Sequence, residues 1–234
     1  MSKELKGTLG ILALDEHSLS PPPPAHTFNF PDWFPYTIVE RRVPGAHPGE
    51  VVGGNLSLAS VYAQTARELE QQGVTAITAD CGFTIAYQEA VRNAVSVPVA
   101  CSPLMQLPLI RTMLPARGRI GILTYDKGRL APEHFRSAGV DMNDLPLAII
   151  GCEGTKLWQN WIGPTVTTDW EDFDRTVMGG ARRLVQENPD VTHILLECCG
   201  FPRCAPQIRA ETGLPVFDWV SLCNQVMEAA GAAD

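Results

Sequence analysis

Short apolar runs rich in β-branched residues alternate along the chain with longer stretches of helical periodicity. Apolar residues at consecutive positions indicate strands covered on both faces, which is typical of the parallel sheets of α/β proteins. The runs of strand length are Leu9 to Leu14, Thr75 to Asp80, Val97 to Cys101, Arg119 to Tyr125, Leu147 to Gly151, Thr192 to Glu197 and Leu214 to Asp218. The pattern therefore predicts an α/β fold in which helices flank parallel β-sheets.

Two of the intervening segments have the features of amphipathic helices. The residues from Ser57 to Gly73 place apolar side chains on one face and end on a glycine, a common helix terminator. A second helix is predicted to begin at Thr168 and Asp169, which are good capping residues, and to end before Pro189.

The segment from Ser18 to Pro35 interrupts this alternation, because its prolines prevent a regular helix or a central strand. A solvated linker is one interpretation. The segment also holds four aromatic side chains that a linker would not need: Phe28, Phe30, Trp33 and Phe34. We therefore favour an ordered loop that folds over the end of the sheet, with these aromatic residues at or near the mouth of the site.

The chain contains an internal repeat. Val74 to Val99 aligns without a gap on Val191 to Val216, and seven of the 26 positions are identical. Ordinary composition would give about two identities. The string LGIL at Leu9 returns as IGIL at Ile120. The repeat predicts two similar lobes, each with a parallel sheet flanked by helices, that are related by a pseudo-twofold axis.

The predicted lobes have approximate boundaries. The first comprises 1–115 together with a C-terminal helix, 219–234, that crosses back to it, and the second comprises 116–218. We expect the active site in the cleft between the lobes.

The composition excludes several classes of protein. Lys and Arg number 18 against 26 Asp and Glu, and the net charge of −8 disfavours binding to nucleic acid or to an anionic membrane surface. No apolar run approaches the roughly 20 residues of a membrane-spanning helix. Seven cysteines are an odd number, which favours free thiols in a reduced, cytoplasmic protein over a disulfide framework. Assembly into a homo-oligomer is left open.

Cys81 and Cys198 occupy equivalent positions of the repeat, and each follows an apolar strand and precedes a helical segment. Ligands of open α/β sheets bind beyond the carboxyl ends of the strands. A helix N-terminus at this place is expected to lower the pKa of the thiol and to hold an anion such as a carboxylate. Packing of the strand ends by buried cysteines is the alternative, but a pair preserved by the repeat favours chemistry.

Two thiols in one cleft, far enough apart to admit a substrate carbon, could remove a proton from one face and return one to the other. This inverts the stereocentre and requires neither a metal ion nor an organic cofactor. The main hypothesis is therefore an isomerase, a racemase or epimerase that acts alpha to a carboxylate or amide carbonyl. The alternatives on the same fold are a decarboxylase, a cis–trans isomerase and a non-catalytic protein that binds a small molecule.

The chain resembles the aspartate/glutamate/hydantoin racemase superfamily from Leu9 to about Leu222. The resemblance is carried by the duplicated lobes, by Cys81 in TADCGF, and by Cys198 in LLECCGFP with the following TGLPVFD. It implies cofactor-independent racemisation with the two cysteines as the acid/base pair.

The same resemblance implies contacts with the substrate from three further positions at strand ends: Asp15, Thr124 and Tyr125. The residues after the cysteines depart from the amino-acid racemases, since Gly82-Phe83 and Cys199-Gly200 replace their usual polar residues. Capture of a carboxylate would then depend on backbone N–H groups and on Thr84. The expected ligand is a small carboxylate or a hydantoin-like molecule.

Overall fold

The protein was analysed as a computed structural model that describes residues 7–15, 33–161 and 168–231. Its strands form two four-stranded sheets in which every pairing is parallel. The strands are β1 (Thr8–Ala13), β2 (Thr37–Arg42), β3 (Ala76–Ala79), β4 (Val99–Ala100), β5 (Arg119–Leu123), β6 (Leu147–Ile150), β7 (Val191–Leu196) and β8 (Val216–Phe217). The order is β2-β1-β3-β4 in the first sheet and β6-β5-β7-β8 in the second. The same topology in both sheets confirms the predicted pair of α/β lobes.

From β2 onward, α-helices separate successive strands of the described chain, as parallel connections commonly do. The α-helices are α1 (Pro48–Val52), α2 (Ala59–Gln71), α3 (Gln88–Arg92), α4 (Leu107–Met113), α5 (Pro132–Ser137), α6 (Lys156–Trp161), α7 (Trp170–Glu187), α8 (Ala205–Thr212) and α9 (Trp219–Ala230). Among the described residues, no helix is both long enough and apolar enough to cross a lipid bilayer.

The apolar runs identified in the sequence lie on the strands. β1 and β3 are almost entirely buried and β7 is mostly buried, as expected for inner strands of parallel sheets. The strand β2 was not predicted. It lies at the edge of the first sheet, and its second half is the exposed, charged sequence Glu40 to Arg42, which lacks the apolar pattern of the central strands.

Both predicted amphipathic helices are present as α2 and α7. The carboxylate of Asp169 caps α7 by accepting hydrogen bonds from the backbone N–H groups of Glu171 and Asp172, each at 3.1 Å. α2 ends just before Gly73, whose φ of +81° is a left-handed conformation that favours glycine.

Two adjacent glycines in α7 give a prediction about packing. A Cβ atom added at Gly179 would meet no atom within 4 Å, whereas one added at Gly180 would lie 2.8 Å from Cδ1 of the buried Leu123. We expect Gly179→Ala to stabilise the protein by up to about 1 kcal/mol through helix propensity. Gly180→Ala should destabilise it by about 1 kcal/mol, because overpacking outweighs the same gain. Urea unfolding of both variants checks the signs, and two shifts of the same sign would contradict the packing.

A second, smaller apolar cluster covers the outer face of the first sheet. α9 packs there against β3 and β4, and Trp219 meets the ring of Phe34 edge-on at 5.5 Å. The aromatic pattern had predicted that Phe34 lies at the mouth of the cleft. It lies in this second cluster instead. Phe28 and Phe30 lie outside the described residues.

Candidate active site

The two cysteines of the repeat lie at equivalent points of the two lobes. Cys81 follows β3 and is the N-terminal cap of a 3₁₀-helix, Gly82–Tyr87. Cys198 follows β7 and lies shortly before another 3₁₀-helix, Phe201–Cys204. The N–H three residues later in the chain donates to the carbonyl of each cysteine at 3.0 Å. The same turn therefore directs each cysteine away from its strand.

Both cysteines line one cavity, which receives side chains from both lobes. Together with its opening to solvent it encloses about 490 Å³ of empty space. Its described lining consists of Leu14, Pro48, Val52, Asp80, Cys81, Gly82, Phe83, Tyr125, Trp161, Glu197 and Cys198. This set combines two thiols and two carboxyl groups with a mainly apolar and aromatic wall, and it contains no basic side chain.

The thiols do not have the low pKa that their position before a helical turn had led us to expect. Burial, and then the nearby Glu197 carboxyl group, raise the pKa of both the Cys81 and the Cys198 thiol. Backbone N–H groups do act in the expected direction, those of Phe83 and Thr84 on Cys81 and that of Gly200 on Cys198. Desolvation and a like charge outweigh them, so both groups are thiols in the unliganded cavity.

An acidic residue precedes each cysteine, and a backbone N–H at the end of the neighbouring strand acts on each. The backbone N–H of Leu14, after β1, donates to both carboxylate oxygens of Asp80 at 3.1 and 3.2 Å. The backbone N–H of Tyr125, after β5, lowers the pKa of the Glu197 carboxyl group. Burial raises the pKa of each carboxyl group to about 7. The site therefore holds two acids that change charge near neutral pH.

Glu197 is the more completely enclosed of the two acids, with an exposed fraction of 0%. Its Oε2 accepts a hydrogen bond of 2.8 Å from the hydroxyl of Thr124, whereas its Oε1 has no hydrogen-bond partner among the described residues. The carboxylate lies so close to Gly82 that a Cβ atom there would overlap both Oε1 and the backbone oxygen of Glu197. Glycine at this position leaves room for the acid.

The structure brings together part of the predicted set of site residues. Gly82, Phe83 and Tyr125 line the cavity beside the two cysteines. The hydroxyl of Tyr125 donates to the backbone oxygen of Trp158, so the ring of this tyrosine, and not its hydroxyl, is directed to a ligand.

The other predicted residues are not among the lining residues. Thr124 is fully buried and reaches the site only through its hydrogen bond to Glu197. The carboxylate of Asp15 accepts a hydrogen bond from the backbone N–H of Gly45 at 2.7 Å. Thr84 is buried behind the turn, Cys199 faces the second apolar cluster, and Gly200 contributes its backbone N–H to the Cys198 sulfur. None of these five residues lines the described cavity, and the contacts with the substrate predicted for them stay predictions.

Sequence reasoning missed the two acids and Trp161. Asp80 and Glu197 align with each other in the repeat, but the comparison considered identical residues only. The sequence feature that could have identified them is the acidic residue that directly precedes the cysteine in both copies of the repeat. Trp161, at the end of α6, reaches the cavity through tertiary packing that no local pattern indicates. Within the described part of the chain, no cluster of three His, Cys, Asp or Glu side chains is arranged to hold a metal ion.

The raised pKa of Glu197 predicts how stability depends on pH. Because the folded-state pKa of about 7 lies above the ordinary 4.5, stability is greatest when the acid is protonated and decreases as the pH rises through 7. Glu197→Gln resembles the protonated form, so its own stability should not decrease in this way. The free energy of unfolding of the variant minus that of wild type should therefore increase from pH 5 to pH 8, by at most about 3 kcal/mol. Asp80→Asn should show the same sign, since burial also raises the pKa of Asp80 to about 7. Thermal unfolding of the variants and wild type at pH 5 and pH 8 checks this prediction. A stability advantage of the variants over wild type that is larger at pH 5 than at pH 8 would contradict it.

Comparison with known proteins places the chain in a family. No protein-family model matches it. It is 30% identical over 217 residues to a dimethylsulfoniopropionate lyase of Durusdinium sp. clade D, which covers 90% of this chain and 71% of that protein. This chain belongs to the dimethylsulfoniopropionate lyase family. It is also 29% identical over 235 residues to dimethylsulfoniopropionate lyase 7 of Emiliania huxleyi strain CCMP1516, over 95% of this chain and 67% of that one.

Solved structures show that this lyase-family member has the fold of the racemase superfamily. Unliganded arylmalonate decarboxylase superposes with a TM-score of 0.59 at 17% identity, over 97% of this chain and 94% of that one. Allantoin racemase from Pseudomonas fluorescens superposes with a TM-score of 0.60 at 16% identity, over 94% of this chain and 89% of that one. The resemblance stated from the sequence is thus confirmed for the fold.

The prediction of a racemase, and with it of an isomerase, is wrong. The curated relatives across most of the chain are lyases, and a lyase-type reaction, which the decarboxylase alternative represented, agrees better with them. The physical reason is that racemisation and elimination can both begin with removal of a proton alpha to a carboxylate. A cysteine at a strand end indicates the base and does not indicate what leaves afterwards.

Proposed function

We propose that this protein is a lyase that cleaves dimethylsulfoniopropionate. The observation that carries the proposal is its membership of a family whose curated members bear that name. The site supports it as well, since a cavity lined by two thiols and two carboxyl groups suits proton removal from a small substrate that carries a sulfonium group.

The proposed reaction is a β-elimination. A thiolate removes a proton from the carbon alpha to the substrate carboxylate, and the electrons of that C–H bond form the carbon–carbon double bond. The bond between the β-carbon and the sulfonium sulfur breaks, and its electron pair leaves with neutral dimethyl sulfide. The products are dimethyl sulfide and acrylate, and the proton taken by the thiolate is released to solvent. No oxidant, reductant or water molecule is consumed.

We assign the role of base to Cys198. The backbone N–H of Gly200 lowers the pKa of the Cys198 thiol, whereas two backbone N–H groups, those of Phe83 and Thr84, lower the pKa of the Cys81 thiol. The less stabilised thiolate is the stronger base, and proton transfer from a weakly acidic carbon requires a strong one. In this proposal Cys81 remains a thiol on the opposite wall of the cavity.

The charge of the substrate resolves the difficulty that both thiols have a raised pKa. A positive sulfonium group beside a thiol favours its ionised form and lowers its pKa when the substrate binds. The acid Glu197, which holds the pKa of Cys198 high in the empty cavity, is then itself balanced by the same cation. The enzyme would thus form its base only with a cationic ligand in place.

The experiment that tests the proposal is headspace gas chromatography of purified protein incubated with dimethylsulfoniopropionate. We expect release of dimethyl sulfide in proportion to enzyme concentration and time. An arylmalonate serves as the competing substrate, since one fold neighbour is a decarboxylase of that class. Decarboxylation of the arylmalonate without release of dimethyl sulfide would contradict the proposal.

A further inference from the structure

We infer that Glu197 selects for the cationic group of the substrate, through the carboxylate oxygen Oε1 that lacks a hydrogen-bond partner. The inference rests on the lyase activity proposed above and goes beyond it, because it assigns a binding role to a residue outside the cysteine pair.

The geometry of Glu197 leaves one carboxylate oxygen without a hydrogen-bond partner among the described residues. Oε2 is held by the Thr124 hydroxyl at 2.8 Å. Oε1 is buried and receives no N–H or O–H from the described residues, although Glu197 lines the cavity. An unpartnered oxygen of this kind costs free energy in the absence of a ligand. A group that enters the cavity can supply the missing interaction.

The Glu197 carboxylate also lacks a positively charged partner among the described residues of the protein. No ion pair of the described residues involves Glu197, and the described lining of the cavity contains no Lys, Arg or His. Asp80, its mate in the repeat, also forms no ion pair among the described residues, but its hydrogen bonds differ. Both of its oxygens share the Leu14 N–H, while the nearby Glu40 raises its pKa and Arg42 lowers it less. The buried carboxylate oxygen of the site that lacks a hydrogen-bond partner is therefore Oε1 of Glu197.

The rest of the cavity wall suits an alkylated cation. A sulfonium group carries methyl groups and no N–H or O–H, so it interacts with a carboxylate through charge alone. Its methyl groups can pack against Leu14 and Val52, and three aromatic rings line the same cavity: Phe83, Tyr125 and Trp161. Aromatic faces attract such cations, and a carboxylate beside them adds to the attraction. A dicarboxylate would find no partner of this kind for its second negative group.

Binding of two unreactive analogues tests the inference separately from catalysis. 3-(Trimethylammonio)propanoate carries a cation in place of the sulfonium, and 4,4-dimethylpentanoate has the same shape without the charge. Calorimetry at pH 8 on the full chain should show that wild type binds the cationic analogue at least about tenfold more tightly. Glu197→Gln should bind both analogues equally, because the neutral side chain keeps the bond to Thr124 and loses the charge.

Asp80→Asn is the matched control, since it removes a carboxylate from the equivalent position of the other lobe. It should retain most of the preference for the cation. Equal loss of preference in both variants would overturn the inference, because the total charge of the cavity would then select the ligand. A wild type that binds the two analogues equally would overturn it as well. Thermal unfolding establishes that each variant is folded.

Steady-state kinetics give a second test. A purely structural role of Glu197 would not predict a change confined mainly to KM. With dimethylsulfoniopropionate, Glu197→Gln should raise KM at least about tenfold and change kcat less, since the residue binds the cation and does not take the proton. An unchanged KM with a lowered kcat would overturn the inference and leave the lyase proposal standing. Preference for the cationic analogue without any release of dimethyl sulfide would overturn the lyase proposal and support the cation site.

Discussion

Cys198→Ser is expected to lower kcat for cleavage of dimethylsulfoniopropionate by about a thousandfold, because a serine hydroxyl cannot form the base at neutral pH. General-base contributions are typically about 10² to 10⁴-fold in rate. The replacement is nearly isosteric and should leave the fold intact. The measurement is the initial rate of dimethyl sulfide release at saturating substrate.

Cys81→Ser is the matched control for this experiment, because Cys81 lines the same cavity from the equivalent position of the other lobe. An elimination needs one base, so this variant should lose less than about tenfold in kcat. A loss of equal size in the two variants would contradict the single-base mechanism. A large loss in Cys81→Ser alone would exchange the roles of the two residues.

Gly82→Ala is expected to reduce kcat/KM by about a hundredfold or more and to destabilise the fold by about 1 to 3 kcal/mol. The added Cβ would overlap the carboxylate and the backbone oxygen of Glu197, and the backbone cannot yield as a flexible side chain can. If Glu197, after the end of β7, is displaced, the adjacent Cys198 also moves. A shift of about 1 Å at a reacting group costs about a hundredfold in rate.

The control for Gly82→Ala is Gly179→Ala, where the same methyl group meets no atom within 4 Å. This variant should keep wild-type kinetics. Chemical unfolding measured beside the rates separates the two effects in Gly82→Ala. Full activity with wild-type stability in Gly82→Ala would show that Glu197 does not occupy the described position.

The central strands could be predicted from the sequence because burial on both faces leaves a direct record in consecutive apolar residues. β1 and β3 illustrate this, and the repeat extends the prediction to β5 and β7. The edge strand β2 has one neighbouring strand and exposed charges, so its sequence does not differ from that of a loop.

The site could be predicted in part. The gapless repeat identified Cys81 and Cys198, and the fold places both in one cavity. The family resemblance implied that Thr124 helps to hold the substrate, and in the structure its hydroxyl donates to Glu197. Whether a residue after a strand faces the ligand or supports a neighbour depends on the turn that follows, and local sequence does not determine that rotation.

The pKa of the two thiols shows why the chemistry was harder to predict than the fold. Backbone N–H groups at each turn were expected from the sequence and are present. The extent of burial and the approach of Glu197 are tertiary properties, and they reverse the direction of the shift. The reaction was misassigned for a related reason, since the group that leaves belongs to the substrate and not to the chain.

Proton NMR of dimethylsulfoniopropionate incubated with the wild-type protein tests the central claim, elimination by a lyase, most directly. The account predicts that the substrate signals disappear while the vinyl signals of acrylate and the methyl signal of dimethyl sulfide grow in equimolar amounts, and that Cys198→Ser slows both together. Dimethyl sulfide accompanied by 3-hydroxypropanoate instead of acrylate would contradict elimination. Substrate that is unchanged by active, folded protein would contradict the lyase function itself.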